Sequence, residues 1–95
     1  MRDYYAAVDA RDYDTSWAQL TPEFQNGKAR SFEYYTSFWD ANDVELKRVA
    51  TVQSSDDEAR VRADLRWNVR GPWITEEFGL VRRDWRWLIN DQVSA

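Results

Sequence analysis

Ninety-five residues make an 11.3 kDa chain, enough for one hydrophobic core and too little for two, so a single domain over residues 1–95 is expected. Six Trp, five Tyr and four Phe argue for a packed globule rather than a disordered chain, while the absence of Cys and His excludes disulfides, zinc held by thiolate or imidazole, and thiol or imidazole catalysis. A net charge of −4 opposes attraction to phosphate backbones, so no nucleic-acid partner is expected, and no run approaches the roughly 20 apolar residues that span a bilayer.

In chain order, Tyr5 and Val8, with Met1 if the helix reaches it, recur at helical spacing, and Tyr13, Trp17 and Leu20 repeat the pattern. Asp12 or Asp14 is a suitable N-cap between these two helices, because a short carboxylate accepts bonds from the free N–H groups of a first turn. Thr21-Pro22-Glu23-Phe24 predicts a further helical turn, capped by Thr21, with Pro22 where its missing N–H costs nothing, and ended by Gly27. Ser31 caps a longer helix whose Phe32, Tyr35, Phe38 and Trp39 form an aromatic face that closes near Asn42. Beyond Asn42 the pattern changes to strands. Val44, Leu46, Val49 and Val52 break a period of two, which predicts a strand with a bulge near Lys47-Arg48. Ala59, Val61, Ala63, Leu65, Trp67 and Val69 then alternate strictly with polar residues, the clearest element of the chain. Turns at Gly71-Pro72 and Asp84-Trp85 separate this strand from Trp73 to Arg83 and from Trp85 to Asp91. The expected fold is α+β, with three N-terminal helices packed on an antiparallel sheet of about four strands.

Several residues bear on function. Ile74, Glu76, Phe78 and Leu80 share one strand face, and Trp87, Ile89 and Asp91 share another, so Glu76 and Asp91 are the candidate inward carboxylates at one cavity. A carboxylate between apolar walls binds its proton more tightly and serves proton transfer. The stronger expectation is plainer: Glu76 pairs with a strand arginine such as Arg66, and Asp91 lies at a fraying end. Tyr4, Tyr5, Tyr13, Trp17, Tyr35, Phe38, Trp39, Trp67, Phe78 and Trp87 either line a pocket for a flat apolar ligand or fill the core, the second being the stronger expectation for so short a chain. Ala59, Ala63 and Gly79 are small enough to leave room beneath the helices. Arg60, Arg62, Arg66 and Arg70 form a stripe on one strand face, interrupted by Asp64, that either docks an acidic partner or is interleaved with acidic residues of neighbouring strands. Trp73 and Trp85 at hairpin ends, together with Arg62 and Arg66, are the candidate interface of a homodimer. Asp56-Asp57-Glu58 lacks the glycine and ligand spacing of a calcium loop and is read as a turn. No metal or other cofactor is expected.

The segments Arg2-Asp3-Tyr4-Tyr5-Ala6-Ala7, Arg11-Asp12-Tyr13-Asp14 and Leu20-Thr21-Pro22-Glu23-Phe24, followed at the far end by Phe78-Gly79-Leu80-Val81-Arg82-Arg83-Asp84 and Trp87-Leu88-Ile89-Asn90-Asp91, resemble nuclear transport factor 2-like domains. Within that superfamily, which includes ketosteroid isomerase and the SnoaL-like cyclases, the chain looks most like small C-terminal extracytoplasmic domains of actinobacterial membrane proteins, receptor-type Ser/Thr protein kinases among them. The resemblance implies a cone-shaped fold with a pocket between helices and sheet. It departs from the pattern at Trp85, where the turn usually has Gly, and in lacking His, which leaves carboxylates and tyrosines as the available acid–base groups. The expected function is noncatalytic binding of a small apolar ligand or a partner by an extracytoplasmic domain tethered to the membrane through sequence outside this chain. The alternatives are a small cyclase- or isomerase-like enzyme using Glu76 or Asp91 as base with Tyr5, Tyr13 or Tyr35 as donor, and a plain homodimerisation domain. A chain whose natural start is Met1 would instead be cytoplasmic.

Overall fold

The computed structural model describes residues 1–68 and 70–94; Val69, expected at the end of the alternating strand, lies outside them. Four short helices, α1 (Arg2–Asp9), α2 (Tyr13–Trp17), α3 (Pro22–Asn26) and α4 (Phe32–Ala41), precede four strands, β1 (Val44–Ser54), β2 (Glu58–Trp67), β3 (Trp73–Arg83) and β4 (Arg86–Ser94). The strands form one antiparallel sheet in the order β1-β2-β3-β4, an uncrossed meander. The fold is therefore α+β, as expected, with four helices among the described residues rather than three.

Capping chemistry explains the additional helix. Thr21 Oγ1 accepts from Phe24 N at 3.1 Å, and Pro22 occupies the first helical position, so the predicted turn at Thr21 is a helix in its own right. Asp12, rather than Asp14, caps α2 by accepting from the Thr15 backbone and hydroxyl, and Ser31 caps α4 through Tyr34 N at 3.1 Å. Leu20 is not on α2, which ends at Trp17; it forms a parallel bridge to Ile89 instead. Thr21 N donates to Ile89 O at 2.9 Å and Ile89 N to Gln19 O at 2.8 Å, so the α2–α3 connection pairs with the free edge of β4.

Two kinds of irregularity set the faces of the sheet. In β1 the register slips between Leu46 and Arg48, so Lys47 is the extra residue and Val44, Leu46 and Val49 all lie over the inward side chains of β2, opposite Trp67, Leu65 and Ala63. The aperiodic apolar spacing of this segment is the imprint of that bulge. A second shift between Thr51 and Gln53 leaves Val52 extra and exposed. In β4, Asp91 opposes Gly79 whereas Ile89 opposes Leu80, so Asn90 is inserted and the strand's phase reverses. Ile89 then lies in the core while Asp91 lies on the opposite face, which separates two residues that strict alternation places together.

The core lies between the helices and the inner face of the sheet. Ala63 and Leu65 are wholly shielded and Phe78 is 1% exposed, with Tyr4, Tyr5, Val8, Tyr35 and Trp39 packed over them from α1 and α4. Edge-to-face contacts run through this layer, Tyr5 meeting both Trp39 and Phe78, while Trp39 and Trp67 stack with centroids 5.5 Å apart. At the β3–β4 hairpin Asp84 and Trp85 both have positive φ, 51° and 65°, as a two-residue reversal with the right-handed twist of its strands requires. Trp85 thus occupies a glycine-type conformation with its indole 88% exposed.

Candidate functional site

Between the helices and the inner sheet face runs a groove of about 330 Å³, walled by Tyr5 and Tyr4 of α1, Tyr34, Tyr35, Phe38 and Trp39 of α4, Trp67 of β2, Phe78 of β3 and Ile89 of β4. Leu20, Phe24 and Ala29 complete the apolar lining, and Lys28, Glu76 and Gln92 supply the charged and amide side chains. The inward parity of β3 brings Glu76 here, two residues from Phe78. Of the residues expected to surround a cavity, Tyr4, Tyr5, Tyr35, Phe38, Trp39, Trp67 and Phe78 line this groove. Tyr13, Trp17 and Trp87 do not. The Tyr13 hydroxyl donates to Asp40 at 2.7 Å and accepts from Arg11 at 3.2 Å, Trp17 packs edge-on against Phe32 and Tyr35, and Trp87 is exposed on the terminal hairpin beside Arg82. Sequence reasoning did not single out Phe24, Lys28, Ala29 or Gln92. The Thr-Pro-Glu-Phe turn carried a signal for Phe24, whereas Lys28, Ala29 and Gln92 reach the groove only through tertiary packing.

The hydroxyls of Tyr4, Tyr35 and Ser16 are linked at 3.0 and 2.7 Å, and Ser16 Oγ lies 3.3 Å from Tyr13 O. This chain is satisfied when Tyr4 donates to Tyr35, Tyr35 to Ser16, and Ser16 to the Tyr13 carbonyl, which explains how a wholly shielded Ser16 is accommodated. Burial pushes the Tyr4 and Tyr35 hydroxyls above the ordinary phenol range. The Tyr5 hydroxyl is raised as well, first by burial and then by the negative charge of Glu76. These phenols therefore remain protonated and act as hydrogen-bond donors at neutral pH.

Glu76 does not pair with Arg66, which instead binds Glu45 through Nη2 at 2.9 and 3.0 Å. Nor does Asp91 share a cavity with Glu76. It lies on the outer face, where Arg60 Nη1 donates to both its oxygens at 3.0 Å and Gly79 N donates at 3.1 Å. Glu77 completes the cluster, accepting from Arg60 Nε at 3.0 Å and Arg62 Nε at 3.2 Å, and both arginines hold its carboxyl below the ordinary range. Gly79 is required by this cluster rather than by a space beneath the helices: a Cβ there would stand 2.5 Å from Asp91 Oδ2 and 2.6 Å from Arg60 Nη1. The arginine stripe is accordingly interleaved with carboxylates at Arg60, Arg62 and Arg66, while Arg70 lies beyond the end of β2.

Of the residues expected at an interface, Trp73 is exposed with Arg66 4.8 Å and Lys47 5.3 Å from its ring centroid, and Trp85 stands 5.4 Å from the Arg82 guanidinium. Arg62 and Arg66 are engaged within the sheet by Glu77 and Glu45. Among the described residues no group of three or more acidic side chains is arranged to hold a metal ion, and no helix is long and apolar enough to cross a membrane. Compared with protein-family models and with curated proteins, the chain matches none.

Proposed function

We propose that this chain is a noncatalytic binding domain that receives a small, flat, apolar ligand in the groove between its helices and its sheet. The observation that carries the reading is the groove itself: about 330 Å³ walled by aromatic rings, with one carboxylate. The second carboxylate that acid–base chemistry would call on is bound to Arg60 across the sheet. The resemblance to nuclear transport factor 2-like domains, with their cone-shaped fold, supports the same reading and adds a setting: an extracytoplasmic sensor or scaffold of an actinobacterial membrane protein, tethered by sequence outside this chain. Exposed Trp73 and Trp85 suit a second copy as the partner in that setting.

Titration with a panel of steroid-like and polyketide-like compounds, followed by Trp fluorescence, tests the binding reading. Ligand-dependent change is expected through the Trp39–Trp67 stack, and Ala29→Phe, which adds a ring at a residue lining the groove, should weaken binding about tenfold or more. Binding unaffected by Ala29→Phe would place the ligand elsewhere. The setting is tested by reading the source locus: an apolar segment of about 20 residues upstream supports the tether, and its absence removes it.

One observation favours an isomerase- or cyclase-like enzyme as the second reading. Tyr5 and Glu76 line one groove, and the charge of Glu76 acts on the Tyr5 hydroxyl, so a base and a phenolic donor are neighbours. Under that reading Glu76→Gln abolishes turnover of such compounds with the melting temperature nearly unchanged; no turnover by the unaltered protein across the panel removes it.

A further inference from the structure

Glu76 differs from the carboxylates around it. On the outer sheet face Glu45, Glu77 and Asp91 each meet an arginine within 3.2 Å. Among the described residues Glu76 forms neither an ion pair nor a side-chain hydrogen bond, and no arginine lines the groove it enters. Its oxygens are not sealed off, for among the described residues the one buried side-chain polar atom left without a partner is Arg66 Nε. A half-buried anion is thus open to the groove and surrounded by ring faces, whose quadrupoles also attract positive charge. The rim already holds a cation in this manner, with the Arg30 guanidinium 4.7 Å above the Tyr34 ring. Lys28, the cation among the lining residues, is tied to the Gln92 carbonyl at 3.0 Å and is solvent-exposed.

From this asymmetry we infer that the groove selects a protonated amine carried on a flat apolar body, the ammonium pairing with Glu76 while the body covers the aromatic wall. The inference rests on the binding reading above and specifies its ligand class. A neutral ligand would leave the Glu76 carboxylate partly desolvated and unpaired, whereas an ammonium donates the hydrogen bonds that no side chain supplies.

The test compares three probes of one shape, 2-naphthylmethylamine, 2-naphthylmethanol and 2-naphthoate, by NMR titration of the tryptophan indole resonances at neutral pH. The amine is expected to bind at least about tenfold more tightly than the alcohol, and Glu76→Gln should bring the ratio of the two affinities to about one. Equal affinities, a preference that survives Glu76→Gln, or naphthoate as the tightest ligand through Lys28 would overturn the amine inference and leave the groove as a binding site. If none of the three shifts the Trp39 and Trp67 resonances, both readings fall. Should Glu76→Gln not fold, salt decides: raising ionic strength from about 0.02 to about 0.3 M should reduce the amine's advantage several-fold, and a salt-independent advantage would overturn the ion pair.

Discussion

Along β2 the two faces of the sheet part company at every residue. Val61, Ala63 and Leu65 lie in the shielded core, while Arg60, Arg62 and Arg66 point the other way and each meets a carboxylate from a neighbouring strand. The inner face derives its stability from area removed from water and from close ring packing, terms that do not depend on pH in the physiological range. The outer face relies on charge pairs that stay partly hydrated and respond to pH and salt. Stability should therefore be concentrated on one side of a sheet only one strand thick.

The largest expected effect comes from opening the inner face. Phe78→Ala removes a ring that is 1% exposed and contacts Tyr5 edge-on, and should cost about 3–5 kcal/mol by chemical denaturation. Thr21→Ala comes next, at about 1–2 kcal/mol, because it removes the cap of α3 and the partner of Asn90 Oδ1, which accepts from Thr21 Oγ1 at 2.9 Å. Trp85→Gly should act in the opposite direction, raising stability by about 1 kcal/mol: the residue sits at φ 65° with its ring in water, and Asp-Gly is the preferred pair for this reversal. A loss of stability there would mean that the Arg82–Trp85 contact outweighs the backbone strain. The smallest effects are expected on the outer face, where Arg60→Ala should lower the melting temperature by less than any of these variants shifts it, and do so detectably only at low salt.

Titration separates the two faces by sign. Glu77 has its pKa lowered in the fold by bonds from Arg60 and Arg62, so its contribution is present above the unfolded carboxylate pKa, about 4.3, and is lost as pH falls through the lower folded value. Glu77→Gln should flatten the acid limb of stability against pH. Tyr4, Tyr5 and Tyr35 are raised, chiefly by burial, so their contribution is complete below the unfolded phenol pKa, about 10, and is lost as pH rises beyond it. Absorbance of phenolate should then show Tyr4, Tyr5 and Tyr35 ionising only together with unfolding; their ionisation while the chain is still folded would contradict the closed inner face.

Much of the architecture was legible in local pattern, for identifiable reasons. Alternation marked β2, and the caps at Asp12, Thr21 and Ser31 were readable because a cap is a contact between residues three apart. The β1 bulge left its trace in the apolar spacing from Leu46 to Val49. Half of the candidate site was legible as well, since the parity of β3 places Glu76 inward with Phe78. The other half was not. The inserted Asn90 leaves no periodic signature in so short a strand, yet it turns Asp91 away from Ile89 and onto Arg60. By itself the sequence determined the order of helices and strands, the turns and the inward face of each regular strand, because all of these follow from side-chain spacing along one segment. Only the tertiary structure decided which carboxylate has an arginine and which faces the aromatic groove, because register and partner choice depend on segments far apart in the chain.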